Sequence, residues 1–259
     1  LIMKKIIGMV VPLALSFLAS SASAGWYEVK NYVGTIGSAA VHVSLQTYDH
    51  INRGNPDQWL VHGSYYYDAY RIPTPLRGKR ETDGRMVLCE AVLSPSGVDF
   101  PVVPVASEER PIPCPIALKF SDDGAAGEWN DGEKTLPIVL NQVGSLNDTW
   151  LNGMPTPVHL DGVVEIPMWY HTKKYLLLGI YESSADCPVS MLHLRLVNIA
   201  TGRVDNDIPF GCDAGMIKTA IYANVSKGPA ANKLFVEFKD PKMGFYEVVN
   251  IKPRAAKRK

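Results

Sequence analysis

Gly63-Ser64-Tyr65-Tyr66-Tyr67-Asp68-Ala69-Tyr70-Arg71-Ile72-Pro73-Thr74-Pro75-Leu76-Arg77-Gly78 is the stretch that decides the fold. Its aromatic run favours a pleated, half-buried strand, and the Pro and Gly that follow force a turn, so it reads as the hinge hairpin of an antiparallel sheet. Trp59-Leu60-Val61-His62 leads into it. Upstream, Val41, Val43 and Leu45 alternate with His42, Ser44 and Gln46, the period-two pattern of a strand with one face buried. Between them Asn52-Arg53-Gly54-Asn55-Pro56-Asp57 is dense in turn formers, which makes Tyr48 to Asp57 an exposed loop. Downstream, Thr82-Asp83-Gly84 marks a tight turn before a strand at Arg85 to Leu93.

Ser94 to Pro115 carries Pro95, Pro101, Pro104, Pro111, Pro113 and Pro115, with Glu108 and Glu109 facing water near its middle. Proline cannot donate to a ladder, so this segment is an extended edge or a long loop. Strands follow at Ile116 to Phe120, Gly127-Glu128-Trp129 and Leu136 to Leu140, separated by turns at Ser121 to Gly124 and Asn130-Asp131-Gly132. Gly144 to Gly162 is turn-rich and sets the expected boundary between an N-terminal β-meander or small barrel, 25–146, and a C-terminal antiparallel, sandwich-like β domain, 147–251. In that second half the strand candidates are Glu165 to Tyr170, Lys174 to Tyr181, Ser190 to Ile199, Lys218 to Val225, Lys233 to Lys239 and Gly244 to Ile251. The fold class expected is therefore all-β, with two antiparallel domains.

The N-terminus reads as a cleaved signal helix over 1–24. Lys4 and Lys5 precede an apolar run from Ile6 to Leu18, and Ala22-Ser23-Ala24 offers the small residues of a cleavage site. An uncleaved anchor is the rival reading, but Gly8 and Pro12 break the run, which falls short of the roughly 20 residues of a bilayer span. The chain is expected in the periplasm or secreted, with no membrane span after cleavage. Taking Lys4, Lys5 and the five cations of a basic, disordered tail at 252–259 from the 26 basic residues leaves 19 against 26 acidic ones, a net of −7 for the body. That balance argues against nucleic acid and suits a basic protein partner. Four cysteines in an exported chain point to disulfides. Of the three pairings possible, Cys89–Cys114 with Cys187–Cys212 closes one local loop in each half, each worth roughly 3 kcal/mol.

Several of these segments together resemble a pattern found in uncharacterised exported bacterial proteins. The matching pieces are Gly34-Thr35-Ile36-Gly37, Val41 to Leu45, Gly63-Ser64-Tyr65-Tyr66-Tyr67, Ile72 to Gly78, Leu88-Cys89-Glu90, Gly127-Glu128-Trp129 and Leu136 to Leu140. The resemblance covers the first half only, implies a β-meander or small barrel, and brings no known chemistry.

No catalytic set is expected. There is no G-x-S-x-G elbow, and Ser44 stands near His42 only as a same-face neighbour on a strand. His62, His171 and His193 are scattered, and no C-x-x-C or H-E-x-x-H spacing suggests a metal. Asp122-Asp123 and Asp131 to Glu133 could be paired carboxylates, but they sit in turns, where Asp bonds local backbone. No cofactor is expected. Tyr65, Tyr66, Tyr67, Tyr70 and Trp129, with Glu108 and Glu109, are the candidate binding residues. Tyr66 points to the opposite face from Tyr65 and Tyr67, so one tyrosine at least must reach the outer surface or a second core. The function expected is a binding protein of the inhibitor or immunity type, acting on a toxin or cell-wall enzyme. An envelope-associated or glycan-binding protein is the alternative, and a carboxylate hydrolase a third.

Overall fold

Eight strands follow one another antiparallel, each paired with the next, and the eighth returns to the first. They are β1 (Trp26–Ile36), β2 (Ala39–Tyr48), β3 (Leu60–Tyr67), β4 (Thr74–Arg80), β5 (Met86–Glu90), β6 (Ile116–Phe120), β7 (Gly124–Asn130) and β8 (Thr135–Leu151). The β8–β1 ladder runs from Ile138 opposite Ile36 to Thr149 opposite Trp26, with a bulge at Asn31/Tyr32, and it closes the sheet into a barrel. The structure is a computed structural model that describes residues 26–48, 60–81, 83–92, 114–151, 154–155, 159–168, 173–184, 187–209, 223–227, 233–238 and 245–250. Among the described residues there is no helix, and none long and apolar enough to cross a membrane.

The alternation read in the sequence builds the barrel interior. Val41, Val43 and Leu45 of β2 lie inside with Val61 and Tyr65 of β3, Leu76 of β4, Leu88 of β5 and Leu118 of β6. Eight strands enclose a space just wide enough for side chains to fill, and Tyr32, Met86, Ile116, Ile138 and Leu140 complete the filling. Strands can close this tightly only where a side chain is missing. A Cβ on Gly34 would stand 1.9 Å from the Val139 carbonyl oxygen, and one on Gly127 1.9 Å from that of Ala117. They stand in Gly34-Thr35-Ile36-Gly37 and Gly127-Glu128-Trp129, where those glycines serve barrel closure. A disulfide between Cys89, on β5, and Cys114, ahead of β6, ties these neighbouring strands. Cys187 opens a later strand and its side chain, like Cys212, lies outside the described residues.

A short β9 (Met154–Pro155) and β10 (His159–Gly162) pair with the far end of β8. Gly144 to Leu151, read as turn-rich, is thus strand, because ladders to both β1 and β10 outweigh its Asn and Gly content. A separate antiparallel sheet follows in the order β11 (Val164–Pro167), β12 (Tyr175–Ser184), β13 (Cys187–Asn198), β14 (Val204–Pro209). β14, Val-Asp-Asn-Asp-Ile-Pro, has no apolar alternation and was not expected; it is an edge strand ordered by pairing to β13. A third sheet, β15 (Ala223–Lys227), β16 (Lys233–Phe238) and β17 (Phe245–Asn250), is a three-stranded meander. The expected strands at 218–225, 233–239 and 244–251 correspond to it in part, since 218–222, 239, 244 and 251 lie outside the described residues.

The second sheet packs on the outer wall of the barrel, with β11 lying across β1, β2 and β3. Asn31 Nδ2 donates to the Glu165 carbonyl at 2.5 Å, and Ser64 Oγ to the Pro167 carbonyl at 3.1 Å. Tyr66 leaves the barrel and enters a second core with Leu176, Leu178, Ile180 and Val197. The polar side of the alternation, Ser44 and Gln46 on β2 with His62 and Ser64 on β3, is therefore buried as well. The reading of one buried face is corrected: both faces are buried, and the polar one is the face toward the second sheet.

Candidate functional site

The residues between β3 and β4 are pinned at both ends. At the start, the Asp68 carboxylate accepts from His42 Nδ1 at 2.7 Å, while the Asp68 amide donates to the Ala40 carbonyl at 3.0 Å. The amides of Tyr70 and Arg71 both donate to the Tyr67 carbonyl. Arg71 has φ 54°, a left-handed conformation that a side chain enters only at a cost of about 1–3 kcal/mol. What holds it there is its guanidinium, which reaches the β13–β14 turn and donates to the Ile199 carbonyl at 3.0 Å. That turn has a glycine at the contact: Gly202 has φ +69°, and a Cβ on it would lie 2.7 Å from Arg71 Nη2. The result is that the flanking residues point outward, Tyr70 at 66% exposure and Ile72 at 47%.

Three tyrosines step from the barrel core to this tip. Tyr65 is buried and donates its hydroxyl to Glu90 Oε1 at 2.7 Å. Burial first, and that carboxylate second, push its pKa well above the ordinary phenol value. Tyr67 is half-buried and meets Tyr65 edge-on at 5.6 Å between ring centroids, and Tyr70 meets Tyr67 edge-on at 6.4 Å. Of the described residues among the binding candidates singled out in the sequence, then, only Tyr70 is presented to solvent. Trp129 is half-buried against the barrel core, opposite Leu136 and Ile116, with an indole nitrogen that has no partner among the described residues. Glu108 and Glu109 lie outside the described residues.

Directly behind the pinned loop, between the barrel wall and the second sheet, is a cleft of about 210 Å³. Asn31 and Ser44 form its floor, His42 and Tyr66 one wall, Val143 and Val163 the rim, and Glu165 also lines it. The His42 and Tyr66 rings stack at 4.9 Å with an interplanar angle of 10°. Ser44 Oγ donates to Asn31 Oδ1 at 3.1 Å, so its proton is committed to the floor. A carboxylate only accepts, so His42 donates from Nδ1 to Asp68. Glu165 is paired with Arg195 at 2.9 Å, and Arg195 reaches Asp207 at 3.3 Å. The Asp68 and Glu165 carboxylates beside the cleft thus each already have a partner. A smaller pocket of about 160 Å³ opens at the barrel end between Lys30, Arg80 and Phe120, with Lys30 bound to Glu28 at 3.0 Å.

The carboxylates weighed as catalytic acids stand in exposed turns. Asp131 Oδ1 accepts from the amides of Glu133 and Lys134, bonds that hold its carboxyl below the usual pKa. Among the described residues no three His, Cys, Asp or Glu side chains converge as metal ligands. The sequence reading missed Arg71, Ile72, Asp68, Asn31 and Glu165. A non-glycine in the left-handed region leaves no mark in composition, and the partners of Arg71 and Asn31 are more than a hundred positions away. Comparison with known protein families, curated proteins and solved structures finds no match.

Proposed function

We propose that the protein is an exported, non-enzymatic binding module that recognises another protein, of the inhibitor or immunity kind, through the loop between β3 and β4. The observation that carries this reading is the display of Tyr70 and Ile72 on a loop pinned through Asp68 and Arg71. A partner that buries them has little loop entropy left to freeze, and an exposed Tyr beside an aliphatic side chain is a favoured interface anchor. The net charge of −7 over the body favours a basic partner and speeds its approach at low salt. The signal-like 1–24 segment and the Cys89–Cys114 disulfide support an oxidising, extracytoplasmic setting. The glycan-binding alternative draws support from the cleft over Asn31 and Ser44.

The test is affinity capture from a periplasmic extract with in situ crosslinking, run in parallel on the wild type and a Tyr70→Ala/Ile72→Ser variant of unchanged melting temperature. A specific crosslinked protein should be retained by the wild type and bound about 100-fold more weakly by the variant, about 2.7 kcal/mol. An identical set of crosslinks from both would refute the loop as the recognition element.

A further inference from the structure

We infer that the cleft between the barrel and the second sheet is a site for one uncharged, hydroxyl-rich six-membered ring, a single sugar unit. The inference is independent of the protein-binding loop. Size comes first: an enclosed space of about 150 Å³ holds a benzene, so about 210 Å³ holds a six-membered ring with its substituents and excludes a drug-sized ligand. Charge comes next. His42 is paired with Asp68, and Glu165 with Arg195, so a charged ligand would have to displace an existing partner or enter unpaired.

Chemistry then separates the neutral candidates. An apolar ring would bury a floor that still has bonds to make. Asn31 gives one amide hydrogen to Glu165 and keeps a second, while Ser44 keeps its oxygen lone pairs, with no further partner for either among the described residues. His42, bonded through Nδ1 to Asp68, adds its second ring nitrogen to these polar groups. Hydroxyls satisfy such groups, whereas an aromatic hydrocarbon leaves them buried and unpaired. The walls meet the other half of a sugar's surface. Val143 and Val163 at the rim, together with the stacked His42 and Tyr66 rings, offer apolar surface to the C–H faces of a pyranose. Both valines are about half exposed, as apolar rim residues of a binding site are.

The wild-type protein is titrated with glucose, galactose and N-acetylglucosamine by amide-detected NMR, and in a second arm with soluble peptidoglycan fragments ending in an N-acetyl sugar. The expected result is a Kd of about 1 mM for at least one free sugar, the range a ligand of about twelve heavy atoms reaches. Val163→Trp, which plugs the rim, should weaken it at least 10-fold, with Val143→Trp as the second variant should the first not fold. Tighter binding of the fragments identifies a glycan end as the ligand's source; equal binding identifies free sugar. The inference is overturned if no sugar or fragment perturbs the spectrum at about 50 mM, or if binding survives both plugs. Tyr70→Ala leaves sugar binding unchanged, which separates this result from that of the loop.

Discussion

The two walls of β2 and β3 are buried to the same extent and built from opposite chemistry. Inside, Val41, Val43, Leu45, Val61 and Tyr65 pack into the apolar barrel core. Outside, Ser44, Gln46, His62 and Ser64 are as inaccessible, yet polar, and Ser44 and Ser64 hydrogen-bond to Asn31 and to the Pro167 carbonyl of the second sheet. The difference separates two jobs. The inner wall supplies bulk stability by removing apolar surface from water, whereas a polar interface adds little net energy per bond but penalises any misplacement of the second sheet. The cleft lies on the polar wall and the pinned loop latches to the sheet that covers it, so the candidate functional features depend on the wall that contributes less to stability.

Breaking the inner wall should have the largest effect. Leu118→Ala removes a 1% exposed side chain from a filled barrel, and denaturant unfolding should show a loss of about 4 kcal/mol, the same at pH 5 and pH 7. A loss under 1 kcal/mol would mean the barrel interior is not close-packed.

The outer wall should reveal itself through pH. Burial first, and Arg77 second, lower the His62 pKa from 6.5 to about 4. Between those values the unfolded chain binds a proton that the folded protein refuses, so stability rises with pH across the window. It should be complete above about pH 6.5, fall as pH drops toward 4, and level off below, a change of roughly 3 kcal/mol. His62→Gln should flatten that part of the profile and leave the rest in place. An unchanged slope would show that His62 is accessible when folded.

Smallest is the loss of one bond across the interface. Ser64→Ala removes the donor to the Pro167 carbonyl, and melting should report about 1 kcal/mol.

How much of this was legible follows from the same contrast. Period two at Val41, Val43 and Leu45, the turn at Asp83-Gly84 and the opposed directions of Tyr65 and Tyr66 are local, and local pattern determines them. Tyr66 does reach a second core, one of the two destinations the alternation left open. The polar face of the same strands was read as solvent-facing because serine, histidine and glutamine look alike whether water or a second sheet satisfies them. Tyr70 was reached by residue type, while its display depends on Arg71 finding a carbonyl 128 positions away, which no window of sequence contains. Gly144 to Leu151 misled because its turn-forming residues are held extended by strands on both sides.

The central claim, that the polar wall of the barrel is an interface, is tested most directly at Ser64. In a Ser64→Cys variant, with the wild type as reference, a thiol reagent added under native conditions should leave the new cysteine unmodified until denaturant unfolds the chain, because that position is 1% exposed beneath β11. Labelling at the rate of a free thiol in the folded protein would contradict the account and return that face of the barrel to solvent.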